Sequence, residues 1–159
     1  MKLTGSVNSL CCEIGTTDGK GGGVFATREF DVGETVVVAV IASRVESNSS
    51  HATQVSRFEW VLLRGMGPMV NHSCNPNCGV RRNESGGPDL VALRSVAAGE
   101  EITFDYAMRN YSIEHFQSRC LCGSKICRGS VTGWKDLPDD RKEAYQGFVA
   151  PYLLELDRE

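Results

Sequence analysis

Asn71-His72-Ser73-Cys74-Asn75-Pro76-Asn77-Cys78 packs three amides, an imidazole, a hydroxyl and two thiols into eight residues. Side chains of this kind bond their own backbone in turns, so the stretch predicts a loop. Alone it reads equally well as a polar surface turn. Two later segments, Glu101-Ile102-Thr103-Phe104-Asp105-Tyr106 and Cys120-Leu121-Cys122-Gly123, give it a second meaning.

Composition limits the classes to which the chain can belong. At 159 residues it is one domain with room for a core. A hydrophobic content of 41% and a charged content of 23% match an ordinary globular protein. A net charge of −3 argues against a phosphate-backbone binder, so no direct nucleic-acid binding is expected. Mild acidity suits a cationic partner such as a basic peptide. The longest apolar run, Val36 to Ala42, is too short for a membrane span, and residues 1–6 lack the apolar block of a signal peptide. Seven cysteines are an odd count, unevenly spaced, and a secreted disulfide scaffold would be shorter with an even number. They read as metal-binding thiolates in a reducing, intracellular compartment, with nothing to choose between nucleus and cytoplasm.

Taken in order, Leu3 to Ile14 predicts a first strand, followed by turn signals from Thr16 to Gly23. The glycine cluster fails as a P-loop because Gly21, not Ser or Thr, follows Lys20. It fails as a dinucleotide fingerprint because the short apolar strand Val24-Phe25-Ala26 follows where a helix is required. A hairpin loop remains, and its glycines let a ligand approach the backbone closely. Thr35 to Ala42 predicts one buried strand and residues 43 to 56 a polar loop, with His51 a solvated surface histidine. Phe58 to Leu63, Asp89 to Val96 and Glu101 to Tyr106 predict further short strands between Gly and Pro turns, hence a mainly β fold. The tail differs. Pro138-Asp139-Asp140 is a helix start, and Tyr145, Phe148, Val149, Tyr152, Leu153 and Leu156 share one helical face. Gly147 and Pro151 split this into two short helices. The stripe reads as a packing face and leaves a dimer contact open.

Cys120, Cys122 and Cys127 bring three thiolates within eight residues. Tetrahedral zinc needs a fourth ligand, for which Cys74 and Cys78 are candidates with His72 behind them. Four thiolates would close the site and make it structural. On the strand from Glu101, alternation sets Ile102, Phe104 and Tyr106 on one face and Glu101, Thr103 and Asp105 on the other.

Together, Lys20-Gly21-Gly22-Gly23-Val24, Asn71-His72-Ser73-Cys74-x-Pro76-Asn77, Gly99-Glu100-Glu101-Ile102-Thr103-Phe104-Asp105-Tyr106 and Cys-x-Cys-x4-Cys resemble the SET-domain protein lysine methyltransferases. The last cluster is similar to the family's post-SET zinc motif, and the resemblance runs from about residue 5 to 131. It implies small curved β-sheets with a pseudoknot in which the Tyr106 segment threads past the central loop, an exception to unknotted connections. It implies S-adenosylmethionine as methyl donor, with Lys20, Gly21, Gly22 and Gly23 at its methionine end and Asn71 and His72 on its adenosine side. Cys74 would join Cys120, Cys122 and Cys127 on a structural zinc. Tyr106 would be the catalytic tyrosine, and Phe104 stands where the family varies between Phe and Tyr, which implies room for di- or trimethylation. The substrate would be an accessible lysine on a protein, a histone or another basic protein.

The chain also departs from that family. It has no cysteine-rich region ahead of the domain, only Cys11-Cys12, and the stretch from Thr35 to Gly65 is short. Pro68-Met69-Val70 replaces the Arg and aromatic of many relatives, Gly22 stands where a larger side chain is common, and no tyrosine precedes Tyr106. The expected organisation is a SET domain over residues 1–116, a zinc segment over 117–131 and a helical C-terminal extension over 132–159. Two rivals remain: a methyltransferase acting on a non-protein nucleophile, and a catalytically weak binding module.

Overall fold

The computed structural model describes residues 11–49, 51–114 and 119–159. In chain order its strands are β1 (Cys12–Thr16), β2 (Gly22–Ala26), β3 (Thr35–Val37), β4 (Val40–Val45), β5 (Thr53–Ser56), β6 (Glu59–Arg64), β7 (Asn71–His72), β8 (Cys78–Arg82), β9 (Pro88–Ala92) and β10 (Glu101–Phe104). Two short helices follow, α1 (Asp139–Ala144) and α2 (Pro151–Asp157).

The order β1-β2-β10-β8-β9-β3 makes one sheet, β7 pairs with β10 beside it, and β4-β6-β5 makes a second, smaller sheet. β1 and β2 form the expected hairpin, with Gly19 and Gly21 of its loop at φ of 82° and 77°, a conformation that glycine adopts without a steric penalty. The crossing implied for the Tyr106 segment is present at β10. This strand pairs antiparallel with β2, and parallel with β7 through Thr103–Asn71 and with β8 through Phe104–Cys78. The central loop is stitched onto it. Asn77 Oδ1 accepts from the Thr103 N–H at 2.9 Å, Asn77 Nδ2 donates to the Glu101 carbonyl at 2.8 Å, and the Ser73 N–H reaches the Phe104 carbonyl at 3.1 Å.

Several sequence expectations need correction. Thr35 to Ala42 is two strands in two sheets: the chain leaves β3 at Val38-Ala39, where the Ala39 N–H is taken by Asp89 Oδ1, and β4 is half-exposed. Residues 43–56 are not all loop. β4 continues to Val45 and β5 begins at Thr53, each pairing with β6, so their polar side chains decorate a small sheet. The strand expected from Asp89 ends at Ala92, and the one expected to Tyr106 ends at Phe104, where Asp105 caps a single 3-10 turn over Tyr106–Met108. The polar face of β10 is largely covered too: Thr103 is buried, Glu101 half-buried, and Asp105 just beyond the strand has no exposure. β7 and β8 occupy the two ends of a stretch expected to be all loop. Residues 3–10 of the first expected strand lie outside the described residues.

The tail splits into two helices, with Gly147 at φ 85° between them and Pro151 opening α2. Its stripe is committed to the chain's own core. Tyr145, Val149, Ala150, Tyr152 and Leu153 are buried with Val24, Phe30, Val80 and Ile102, which makes the stripe a packing face of the chain's own core. The approach is close: a Cβ on Gly79 of β8 would lie 2.6 Å from Phe148 Cβ. Backbone bonds from Val80 N to the Phe148 carbonyl and from Ala150 N to the Met108 carbonyl, both 2.8 Å, hold the tail down.

Candidate functional site

Directly after β10 stands Asp105, a carboxylate with 0% exposure. Burying such a charge is costly unless it is paired and hydrogen-bonded. Arg128 supplies the pairing with two nitrogens, Nη1 to Oδ2 at 2.6 Å and Nη2 to Oδ1 at 3.1 Å. The Tyr145 hydroxyl donates to Oδ2 at 2.9 Å and the Ala107 N–H to Oδ1 at 3.0 Å. Four hydrogen bonds from three parts of the chain therefore converge on one side chain. Tyr145 pays for its place beside the carboxylate: burial and the Asp105 charge push its phenol well above the ordinary range.

His72 lies against this carboxylate, with Nδ1 3.5 Å from Asp105 Oδ1, yet the contact is not an ion pair. Burial holds the imidazole pKa down to about 4, so the ring is neutral. Nδ1 accepts the Tyr106 N–H at 3.1 Å, which places the ring proton on Nε2, 3.4 Å from Cys74 Sγ. Both ring nitrogens are thus committed within the protein.

Cys74, Cys120, Cys122 and Cys127 gather with their sulfurs within 4.8 Å of one another. Four sulfurs around a tetrahedral zinc stand about 3.8 Å apart, and Cys74 and Cys120 are 3.8 Å apart. Backbone N–H groups of Arg128 and Gly129 point at Cys74 and Cys127 at 3.4 and 3.3 Å, suited to thiolate charge. Burial pushes the Cys74 thiol up to about 11, a cost that a bound dication removes. The residues fit a closed, structural zinc. Cys78 is not among them: it is buried in β8, its thiol raised to about 12 by burial.

The glycine loop, Asn71 and β10 meet on one side of the site. Lys20 Nζ pairs with Glu101 Oε2 at 2.8 Å, and Asn71 Nδ2 donates to Glu101 Oε1 and to the Gly22 carbonyl, both at 2.9 Å. Gly23 packs closely here: a Cβ would sit 2.8 Å from Glu101 Oε1 and from Thr17 Cγ2, so those side chains would have to shift. Over Gly22, a Cβ would meet the terminal methyl of Met69 at 3.1 Å. Two departures from the family pattern are therefore neighbours, and Met69 fills the space that Gly22 leaves.

A pocket of about 440 Å³ lies beside Tyr106, lined among others by His51, Leu62, Val70 and Arg109. None of Lys20, Gly21, Gly22, Gly23, Asn71 or His72 lines it. The Tyr106 hydroxyl donates to the Val70 carbonyl at 2.9 Å, and burial raises its pKa. Phe104 is fully buried and does not line the pocket; its ring centroid lies 5.0 Å from that of Tyr106. His51 is exposed, as expected, at the pocket wall. Sequence reasoning passed over Asp105, Arg128, Tyr145 and Arg109. Asp105 was visible only as one of three polar residues alternating along the expected strand, and Tyr145 only as part of the apolar stripe.

The sequence model of the family described as SET domain matches residues 21–107. The chain belongs to the SET-domain family. It is 33% identical over 141 residues to an H3 lysine-36 specific histone-lysine N-methyltransferase of Yarrowia lipolytica, covering 76% of this chain and 18% of that protein. It is 37% identical over 68 residues to an H3 lysine-4 specific histone-lysine N-methyltransferase of Saccharomyces cerevisiae, covering 41% of this chain and 6% of that one. A histone-lysine N-methyltransferase of Arabidopsis thaliana, ATXR3, is 48% identical over 65 residues, 38% of this chain and 3% of its own. The SET-domain chain thus spans only 3% to 18% of the length of these relatives. In fold it is similar to KRYPTONITE, solved in complex with mCHH DNA, an H3(1-15) peptide and SAH, with a TM-score of 0.59 and 22% identity over 76% of this chain and 29% of that one.

Two expectations follow for this SET domain. Metal analysis of the purified chain should find one zinc, and Cys120→Ser should abolish it; zinc retained in the variant would refute the four-cysteine assignment. Arg128→Met should destabilise the zinc-loaded chain by about 3–5 kcal/mol in urea unfolding, because it strands a buried charge. A loss below about 1 kcal/mol, the range of an exposed pair, would show that Tyr145 and Ala107 suffice for Asp105.

Proposed function

We propose that this SET domain is an S-adenosylmethionine-dependent protein-lysine N-methyltransferase, acting on histones or another basic protein. The observation that carries the reading is the Tyr106 hydroxyl, held by the Val70 carbonyl at the wall of a pocket that the glycine loop and Asn71 do not line. In this reading the glycine loop and Asn71 would form the donor side, and the pocket beside Tyr106 the acceptor side. The relatives' names point to histone lysines as the substrate class. In this reading residues 1–116 are the SET domain, 117–131 its zinc segment and 132–159 the extension that completes its core.

The residues present fit the cofactor. A Cβ on Gly21 would meet nothing within 4 Å, so the loop backbone is open to a ligand. Lys20, Gly21, Gly22 and Gly23 would hold the methionine end. Asn71 and His72 would hold the adenosine side through their main chain, because His72 has no free ring nitrogen and the Asn71 amide nitrogen is already engaged. When bound, the cofactor supplies an electrophilic methyl group on a positively charged sulfur.

The acceptor lysine must be neutral to accept it, and with a free pKa of about 10.4 that costs roughly 4 kcal/mol near neutral pH. The partly apolar pocket wall of Leu62, Leu63, Pro68 and Val70 works against the ammonium. Tyr106 is not the base. Its burial disfavours the phenolate, and its proton is directed at Val70. Its task is to position the amine and shape the pocket mouth. The missing upstream tyrosine is not replaced: among the described residues Tyr106 is the only tyrosine lining the pocket.

Two outcomes test this. Tyr106→Phe should lower kcat by about 10²-fold, the scale of lost positioning, with S-adenosylmethionine affinity unchanged by calorimetry; equal turnover would remove Tyr106 from the mechanism. Phe104→Tyr should shift the product on a lysine peptide from di- and trimethyl toward monomethyl, read by intact mass. An unaltered product distribution would sink the role given to Phe104.

A further inference from the structure

Arg109 is used by neither the fold nor the mechanism described so far. Its guanidinium lies over the Phe104 ring, with Cζ 4.7 Å from the centroid, and the residue lines the pocket beside Tyr106. Its backbone is held on both sides, by its own N–H to the Tyr106 carbonyl at 3.2 Å and by the Tyr152 hydroxyl to its carbonyl at 2.6 Å. Among the described residues the charge faces the Phe104 ring and has no anionic partner. Nε is buried without a hydrogen bond, and none of the ion pairs includes Arg109. Glu114 is the one carboxylate that lines the same pocket, and it is exposed and makes no ion pair with the guanidinium. The only other titratable groups in the lining are His51, which is exposed, and Tyr106.

We propose that Arg109 selects the substrate by binding a carboxylate on the acceptor, the side chain of an aspartate or glutamate adjacent to the methylated lysine. This rests on the lysine methyltransferase reading and narrows its substrate class. A guanidinium presents a planar fork of donors that matches a carboxylate, and it keeps its charge when partly desolvated. A fixed cation in the pocket repels an acceptor whose neighbours are all basic, and an acidic neighbour reverses that sign. The methionine carboxylate of the cofactor offers the same chemistry. The acceptor is favoured because Lys20, Gly21, Gly22 and Gly23 do not line this pocket.

The test uses the full, zinc-loaded chain and fluorescent peptides in which norleucine replaces the target lysine, flanked by aspartate, asparagine or lysine. Binding by anisotropy should favour the aspartate peptide over the asparagine peptide by about tenfold, the scale of one good charged contact. Arg109→Gln should level the two, Arg109→Lys should retain part of the preference, and Arg109→Glu should favour the lysine-flanked peptide. Should Arg109→Glu fail to fold, as read by circular dichroism and zinc content, the glutamine variant decides. Equal affinities in the wild type, a preference surviving in Arg109→Gln, or no binding of any peptide would overturn the inference. So would a large loss of S-adenosylmethionine affinity in Arg109→Gln with peptide preference unchanged, which would assign the guanidinium to the cofactor. Methyl transfer to the matching lysine peptides is measured separately. Aspartate preference without transfer sinks the methyltransferase reading and leaves Arg109 its ligand, whereas transfer without preference does the reverse.

Discussion

A carboxylate with no access to water has to bring its counter-charges with it, and Asp105 imposes that demand on the whole molecule. Its partners come from the zinc segment (Arg128), the tail (Tyr145) and the turn that carries Tyr106 (Ala107). None of the three can shift without leaving charge or hydrogen-bonding capacity unmet in a dry environment. The carboxylate therefore fixes the turn that presents Tyr106, and it does so one residue away. The zinc segment gains a role beyond its own stability, because the backbone N–H of Arg128 contacts Cys74 while its guanidinium holds Asp105. The four-cysteine cluster is thus mechanically continuous with the turn that carries Tyr106.

His72 completes this coupling. Its neutral ring accepts from the Tyr106 backbone on one side and offers a proton toward the Cys74 sulfur on the other. Such an arrangement fixes the tautomer of the imidazole, and a sulfur that receives a donor is a better-defined metal ligand. The same side chain was a natural candidate for direct ligation when only spacing was known. The structure gives it a supporting position instead, one shell out from the sulfurs.

What could be read from the sequence follows from which interactions are local. Short strands bounded by glycine turns, the helix start at Pro138 and the break at Gly147 depend on neighbouring residues, and all are found. The three motifs and the choice among cysteines were legible because side-chain chemistry at fixed spacing is rare by accident. The strand boundaries near Val38 were not, because an unbroken β-branched run carries no mark of where one sheet hands over to another. Nor was the polar β4–β5 region legible as strand, since its largely polar side chains carry no apolar alternation. Asp105, Arg128 and Tyr145 were invisible for a different reason: they sit far apart in the chain, and only the folded topology brings them together.

The departures from the family pattern show the same logic at the site itself. Gly22 and Met69 each look anomalous alone, yet the methyl of one fills the volume vacated by the other. Across the site, the consecutive residues Val70 and Asn71 divide the work. Val70 gives its carbonyl to the Tyr106 hydroxyl and lines the pocket, whereas the Asn71 amide grips Gly22 and Glu101 on the side away from it. Successive residues of extended chain face opposite ways, so one short segment can serve two surfaces without either compromising the other. The glycine loop and the pocket beside Tyr106 are accordingly tied together through two consecutive residues. Any displacement of the central loop moves both surfaces at once, so the anchoring of that loop through Asn77, Ser73 and Asp105 fixes the glycine loop and the pocket wall together.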